Sequence, residues 1–155
     1  MKLKVLIYIL VSIIFTNCGF KVVNQDFFKN YKFSELNITG DNKVIYLIKN
    51  KLNIDNKDST KEIKLNIDTK KNKVVKERNI QNEITKYEIT INAKIKYIIE
   101  DENIAEEFSL TKKGDFNVKS KHSETLNTEK KLTKNLINNL SEQILKNIMI
   151  RLDDL

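Results

Sequence analysis

Apolar and polar residues alternate most cleanly between Tyr87 and Ile99, where Tyr87, Ile89, Ile91, Ala93, Ile95, Tyr97 and Ile99 oppose Glu88, Thr90, Asn92, Lys94 and Lys96. Successive side chains of a strand point to opposite faces, so this stretch predicts a strand of about thirteen residues with one dry face. Ile63, Leu65 and Ile67 repeat the alternation against Glu62, Lys64, Asn66 and Asp68, and Lys70, Lys71, Lys73, Lys76 and Arg78 continue that strand as a basic extension. Upstream, Tyr31 to Thr39 is short, rich in apolar residues and closed by Gly40, which reads as a strand ending in a turn. Asp41 or Asn42 can then cap a helix, because a short side-chain oxygen accepts the free N–H groups of a first turn. Val44, Ile45, Leu47, Ile48 and Leu52 follow at near-helical spacing. Downstream, Glu100–Asn103 suits a hairpin turn. A fourth strand is expected from Ala105 to about Val118, with Phe108, Leu110 and Phe116 inside and a break at Gly114.

From about Asn127 the period becomes helical and stays so. Leu132, Leu136, Leu140, Ile144 and Ile148 form one row, and Ile137, Leu145, Met149 and Leu152 form the next. Lys130, Lys134, Asn138, Ser141 and Asn147 are expected on the opposite face. Such a row could serve a coiled coil or a partner helix. The dry face of the 87–99 strand, however, needs a cover from within the chain, and the long helix is the natural one. The order is therefore β-α-β-β-β-α, an α+β fold.

The first twenty residues follow different rules. Lys2 and Lys4 precede an apolar run from Val5 to Phe15, and Thr16-Asn17-Cys18-Gly19-Phe20 follows. A basic start, an apolar core of about 7 to 15 residues and a polar cut site describe a secretory signal. With the only cysteine at the cut, the pattern points to a lipoprotein signal over residues 1–17, with Cys18 acylated as the new N-terminus. Asn17 stands where such signals usually carry Gly, Ala or Ser. An uncut anchor remains as the alternative, although spanning takes about 20 apolar residues. Residues 18–30 then read as a lipidated tether, and 31–155 as a single domain.

Removing that signal leaves 138 of 155 residues, and takes Lys2 and Lys4 from a formal charge of +7, leaving +5. The balance suits an anionic partner such as lipid headgroups or a phosphorylated glycolipid. Export argues against nucleic acid. If Cys18 is acylated no thiol is left for a disulfide, a nucleophile or a metal. His122 is the sole histidine and sits among Lys119, Ser120, Lys121, Ser123 and Glu124, which read as a solvated loop. Adjacent Glu106 and Glu107 point to opposite faces of a strand. Catalysis therefore finds no constellation; no enzyme and no cofactor beyond the lipid on Cys18 are expected. The candidate ligand contacts are two basic clusters, Lys70, Lys71, Lys73, Lys76 and Arg78 on the second strand, and Lys112, Lys113, Lys119 and Lys121 on and after the fourth. They could present ammonium groups to phosphates, or simply occupy solvated strand edges, where lysine discourages edge-to-edge aggregation.

Cys18-Gly19-Phe20, the Tyr87-Glu-Ile-Thr-Ile-Asn-Ala strand, the acidic turn at Asp101 and the final amphipathic helix together resemble the lipopolysaccharide-assembly lipoprotein family, LptE. The resemblance implies a two-layer α/β sandwich, its four-stranded, mostly antiparallel sheet packed on two helices. It also implies a lipid anchor on the periplasmic face of the outer membrane. The implied partners are lipopolysaccharide and the outer-membrane lipopolysaccharide-assembly β-barrel, which such a protein plugs and assists. A free-standing periplasmic lipid- or glycan-binding lipoprotein is the alternative. The sheet's second face separates the two: a plug presents a polar, structured surface, whereas a binding module keeps an apolar cavity open.

Overall fold

The computed structural model describes residues 31–52, 61–100 and 103–153. The expected signal, Cys18, the 18–30 tether and the Asp101 turn lie outside the described residues. The elements run β1 (Tyr31–Thr39), α1 (Asn42–Leu52), β2 (Lys61–Arg78), β3 (Ile84–Ile99), β4 (Ile104–Asn117) and α2 (His122–Asp153). This is the expected β-α-β-β-β-α order. The four strands form one sheet in the order β1-β2-β3-β4, with β1 parallel to β2 and the other neighbours antiparallel. Both helices cover one face of the sheet, α1 against β1 and β2, α2 against β4 and β3, and the helices also meet each other.

Each boundary has a local cause. Asp41 caps α1, its Oδ1 accepting the backbone N–H groups of Lys43 at 3.0 Å and Val44 at 3.1 Å. Gly40 has φ of +121°, and a Cβ there would lie 2.1 Å from the Thr69 carbonyl oxygen. Only glycine allows the chain to leave the sheet at that point. The β1–β2 ladder consequently ends at Thr39 and Asp68, and β2 runs on to Arg78 beside β3 alone. The basic extension is thus one arm of a long hairpin that outruns the core.

The core lies between sheet and helices. Ile63, Leu65, Ile67, Ile89, Ile91, Ile95, Tyr97 and Ile99 are sealed against Val44, Ile48 and Leu52 of α1 and Ile137, Leu140, Ile144 and Ile148 of α2. At about 1.5–3 kcal/mol per large apolar side chain, this layer supplies the main favourable term for folding.

Three expectations are corrected. Gly114 does not break β4: it pairs with Ile89 inside the ladder, and a Cβ there would lie 2.8 Å from Leu132 Cδ1. Its role is to let α2 approach the sheet closely. The long helix starts at His122, five residues before Asn127, so His122 is a helical residue rather than part of a loop. Its first turns carry few apolar residues, so the hydrophobic period is silent there. The turn is instead fixed by Thr125, whose hydroxyl accepts the Lys119 N–H at 2.8 Å. Ser141, expected outside, is fully buried. Its hydroxyl donates to the Ile137 carbonyl at 2.9 Å, which satisfies the polar group within its own helix.

Candidate functional site

The alternation of β2 divides the first basic cluster between two faces. Lys71 and Lys73 share the helix side with Ile63, Leu65 and Ile67, and both reach Glu129 of α2, at 3.9 Å and 2.6 Å. The Lys73 ammonium also lies 4.3 Å from the centre of the Tyr87 ring and 5.3 Å from that of Phe116, two rings stacked 5.5 Å apart. A cation held by a carboxylate and two ring faces is a structural clamp between hairpin and helix. Lys76 lies on the other face, bonded to Asp115 across β3 and 3.8 Å from Glu88. The bond to Asp115 raises its pKa above the usual lysine value. Arg78 donates to the Asn82 carbonyl at 2.8 Å and closes the hairpin tip. Only Lys70 in this cluster makes no ion pair or side-chain hydrogen bond with a described residue.

The second cluster is looser. Lys112 is half-buried on the helix side, Lys113 is exposed on the open side, and Lys119 is exposed after β4. Lys121 lies 3.8 Å from Glu124, and both are well exposed. The structure therefore does not gather the nine candidates into one basic patch. Lys71, Lys73, Lys76 and Arg78 are engaged in holding the hairpin, whereas Lys70, Lys113 and Lys119 remain available.

The second face of the sheet, expected to separate a plug from a binding module, is open, and the alternation of β2 and β3 turns their even-numbered residues toward it through most of their length. Here polar residues pair across strands. Lys32 bonds Glu62 at 2.8 Å, Lys94 bonds Glu107 at 2.9 Å, and Lys86 bonds Glu77 at 2.5 Å. Thr39 donates to Asp68 at 2.8 Å, and Thr111 to Asn92 at 2.8 Å. At the end of the sheet, Lys64 bonds Glu100 at 2.5 Å. Hydrogen bonding to their partners lowers the Glu62 pKa and raises those of Lys64 and Lys94. The face is thus crossed by partly exposed pairs of polar side chains. As expected, Glu106 and Glu107 part company: Glu107 joins this face, while Glu106 turns to the helix side and accepts from Arg151 at 2.6 Å.

That Glu106–Arg151 pair closes the opposite end of the core. The Arg151 guanidinium stands 5.0 Å from the Phe108 ring centre, and Phe108 meets Tyr97 edge-on at 6.5 Å. Tyr97 is fully buried and its hydroxyl has no hydrogen-bond partner. Burial first, then the neighbouring Glu106 carboxylate, pushes its pKa up to about 12.

Two clefts flank the start of α2. One, of about 300 Å³, is lined by Lys73, Tyr87, Lys119, His122 and Leu126 among others. The other, of about 330 Å³, lies between the end of β4 and residues 128–135 and is shallower. Among the described residues, no group of His, Cys, Asp or Glu could hold a metal ion, and no helix is long and apolar enough to cross a membrane.

No protein-family model matches the sequence. No curated protein matches it either. The fold, however, has counterparts among solved structures. Rare lipoprotein B from Shewanella oneidensis is similar at a TM-score of 0.62 and 12% identity, over 77% of this chain and 96% of that one. A candidate lipoprotein from Caulobacter crescentus is similar at a TM-score of 0.55 and 5% identity, over 83% of this chain and 94% of that one. Lipoprotein B from Nitrosomonas europaea gives 0.53 and 15%, over 87% and 93%. At such identities the likeness is one of fold.

Proposed function

We propose that this chain is an envelope lipoprotein, held by lipid on Cys18, that plugs and assists a lipopolysaccharide-assembly β-barrel at the outer membrane. The observation that carries the reading is the open face of the sheet, polar in the main and crossed by side-chain pairs. The interior of a large outer-membrane barrel is polar and wet, so a plug needs a fixed surface of donors and acceptors rather than a greasy one. Support comes also from the signal-like start ending at Cys18 and from a fold shared with structures named as lipoproteins.

In this reading the chain works by binding and performs no bond chemistry. Lys70, Lys113 and Lys119 are the candidates for lipopolysaccharide phosphates, because they are exposed and not engaged by the described acids. Envelope purification tests the proposal. Wild-type chain should incorporate labelled palmitate and bring down a large β-barrel, and Cys18→Ser should abolish the label. An acylated chain recovered without any barrel would favour the free-standing lipid- or glycan-binding lipoprotein instead.

A further inference from the structure

Among the described residues, most of the unpaired positive charge resides on the helix layer. On the open sheet face, Lys32, Lys76, Lys86 and Lys94 are matched by Glu62, Glu77, Glu88, Glu107 and Asp115, which leaves Lys70, Lys96 and Lys113 without an ion pair to a described residue. On the helices, Lys43, Lys49, Lys130, Lys131, Lys134 and Lys146 are all exposed, and none forms an ion pair with a described residue. Three glutamates of that layer are spent elsewhere: Glu129 turns inward to Lys71 and Lys73, Glu124 meets Lys121, and Glu142 meets Lys51 at 3.4 Å. A lysine-rich composition alone would leave both faces equally uncompensated. Three large apolar side chains also stand exposed on these helices, Tyr46 at 64%, Ile150 at 48% and Leu126 at 39%.

We infer that, before its open face engages a barrel, the domain docks the outer surface of α1 and α2 on the anionic headgroups of a lipid bilayer, lying flat with its polar sheet face turned away. A row of ammonium groups on long stems suits a diffuse layer of lipid phosphates, to which each lysine near the surface adds attraction. A tyrosine suits the same depth, with its ring in the headgroup layer and its hydroxyl in water. The inference rests on the lipid anchor but not on the barrel.

Because Cys18 is the only cysteine and is taken up by acylation in this reading, a new cysteine can be labelled alone. Acylated full-length chain carrying a fluorophore at Asn139→Cys on α2, or at Ser109→Cys on the open sheet face, is reconstituted on vesicles with headgroup-attached quencher. With 30% phosphatidylglycerol vesicles, about threefold stronger quenching is expected at position 139 than at 109, falling to near equality in 0.5 M salt or on phosphatidylcholine alone. Replacing Lys130, Lys131 and Lys134 with Gln, all exposed and expected to fold normally, should remove most of the difference. Equal quenching at both positions, or a difference unchanged by salt, by neutral lipid or by the triple replacement, overturns the inference. Failure to attach to phosphatidylcholine vesicles at all would instead count against the lipid anchor.

Discussion

The two faces of β3 are made from one stretch of chain and do opposite work. Ile89, Ile91, Ile95, Tyr97 and Ile99 are fully buried under the helices, while Glu88, Thr90, Asn92, Lys94 and Lys96 meet polar neighbours or water. On the covered side, stability comes from removing large side chains from water and packing them without voids. On the open side, pairs such as Lys94–Glu107 are half-exposed and contribute little, because solvent screens them and two flexible side chains must be held in place. The open face can therefore vary its chemistry at small cost to the fold, which is the property a docking surface needs.

The sharpest way to break the comparison is to truncate one residue on each side. Ile95→Ala should destabilise the protein by about 2–5 kcal/mol in chemical denaturation, since its site is sealed on all sides and cannot collapse. Lys94→Ala, its immediate neighbour, should change stability by no more than about 0.5 kcal/mol. If the two replacements cost the same, the layered core described above is wrong. Next in size stands Gly114→Val, which should cost about 1–3 kcal/mol by forcing Leu132 and Leu136 away from the sheet. Lys113→Val, one residue earlier and facing solvent, should lie within about 0.5 kcal/mol of wild type.

Much of this division is legible in the sequence, and the exceptions share a physical cause. Alternation along 63–67 and 87–99 marks both faces of β2 and β3, Asp41 announces the start of α1, and the leucine and isoleucine rows foretell how α2 packs. What periodicity misses is anything decided by contact rather than by pattern. Gly114 reads as a break because glycine is the usual punctuation, whereas its function depends on Leu132, distant in the chain. Ser141 reads as outward because it is polar, yet one hydrogen bond to its own helix makes burial inexpensive. The basic clusters mislead for a related reason. A run of lysines looks like one patch until strand geometry sends Lys71 and Lys73 to Glu129 and Lys76 to Asp115. Most of the uncompensated charge of the helix layer could have been found from the sequence by asking which lysines lack acids at helical spacing. Lys146, however, has Glu142 four residues before it and is left unpaired only because Glu142 meets Lys51.

A smaller effect probes a polar atom on the covered face. The Tyr97 hydroxyl is buried without a partner, so Tyr97→Phe should leave stability at neutral pH unchanged or raise it by up to about 1 kcal/mol. Its signature is in alkali. The folded protein holds the phenol protonated up to about pH 12, whereas in the unfolded chain it ionises near 10. A raised folded pKa means the contribution is fully present below 10 and is lost as pH rises toward 12. Wild type should therefore lose stability across that window more steeply than Tyr97→Phe. Parallel curves would mean that the hydroxyl reaches solvent.

The weakest expected effect is the most telling for function. Replacing both Lys94 and Glu107 with Ala removes a bonded pair from the centre of the open face, and the pair's own coupling should amount to about 0.2–1 kcal/mol in a double-mutant cycle. Should the open face dock against the polar wall of a barrel, the same double replacement would barely move the denaturation midpoint yet weaken recovery of the barrel from envelopes severalfold. A protein interface loses water on docking, and removing a charged group there leaves its counterpart across the interface buried without a partner. Loss of stability without loss of recovery would point the other way, to a face that serves only the fold.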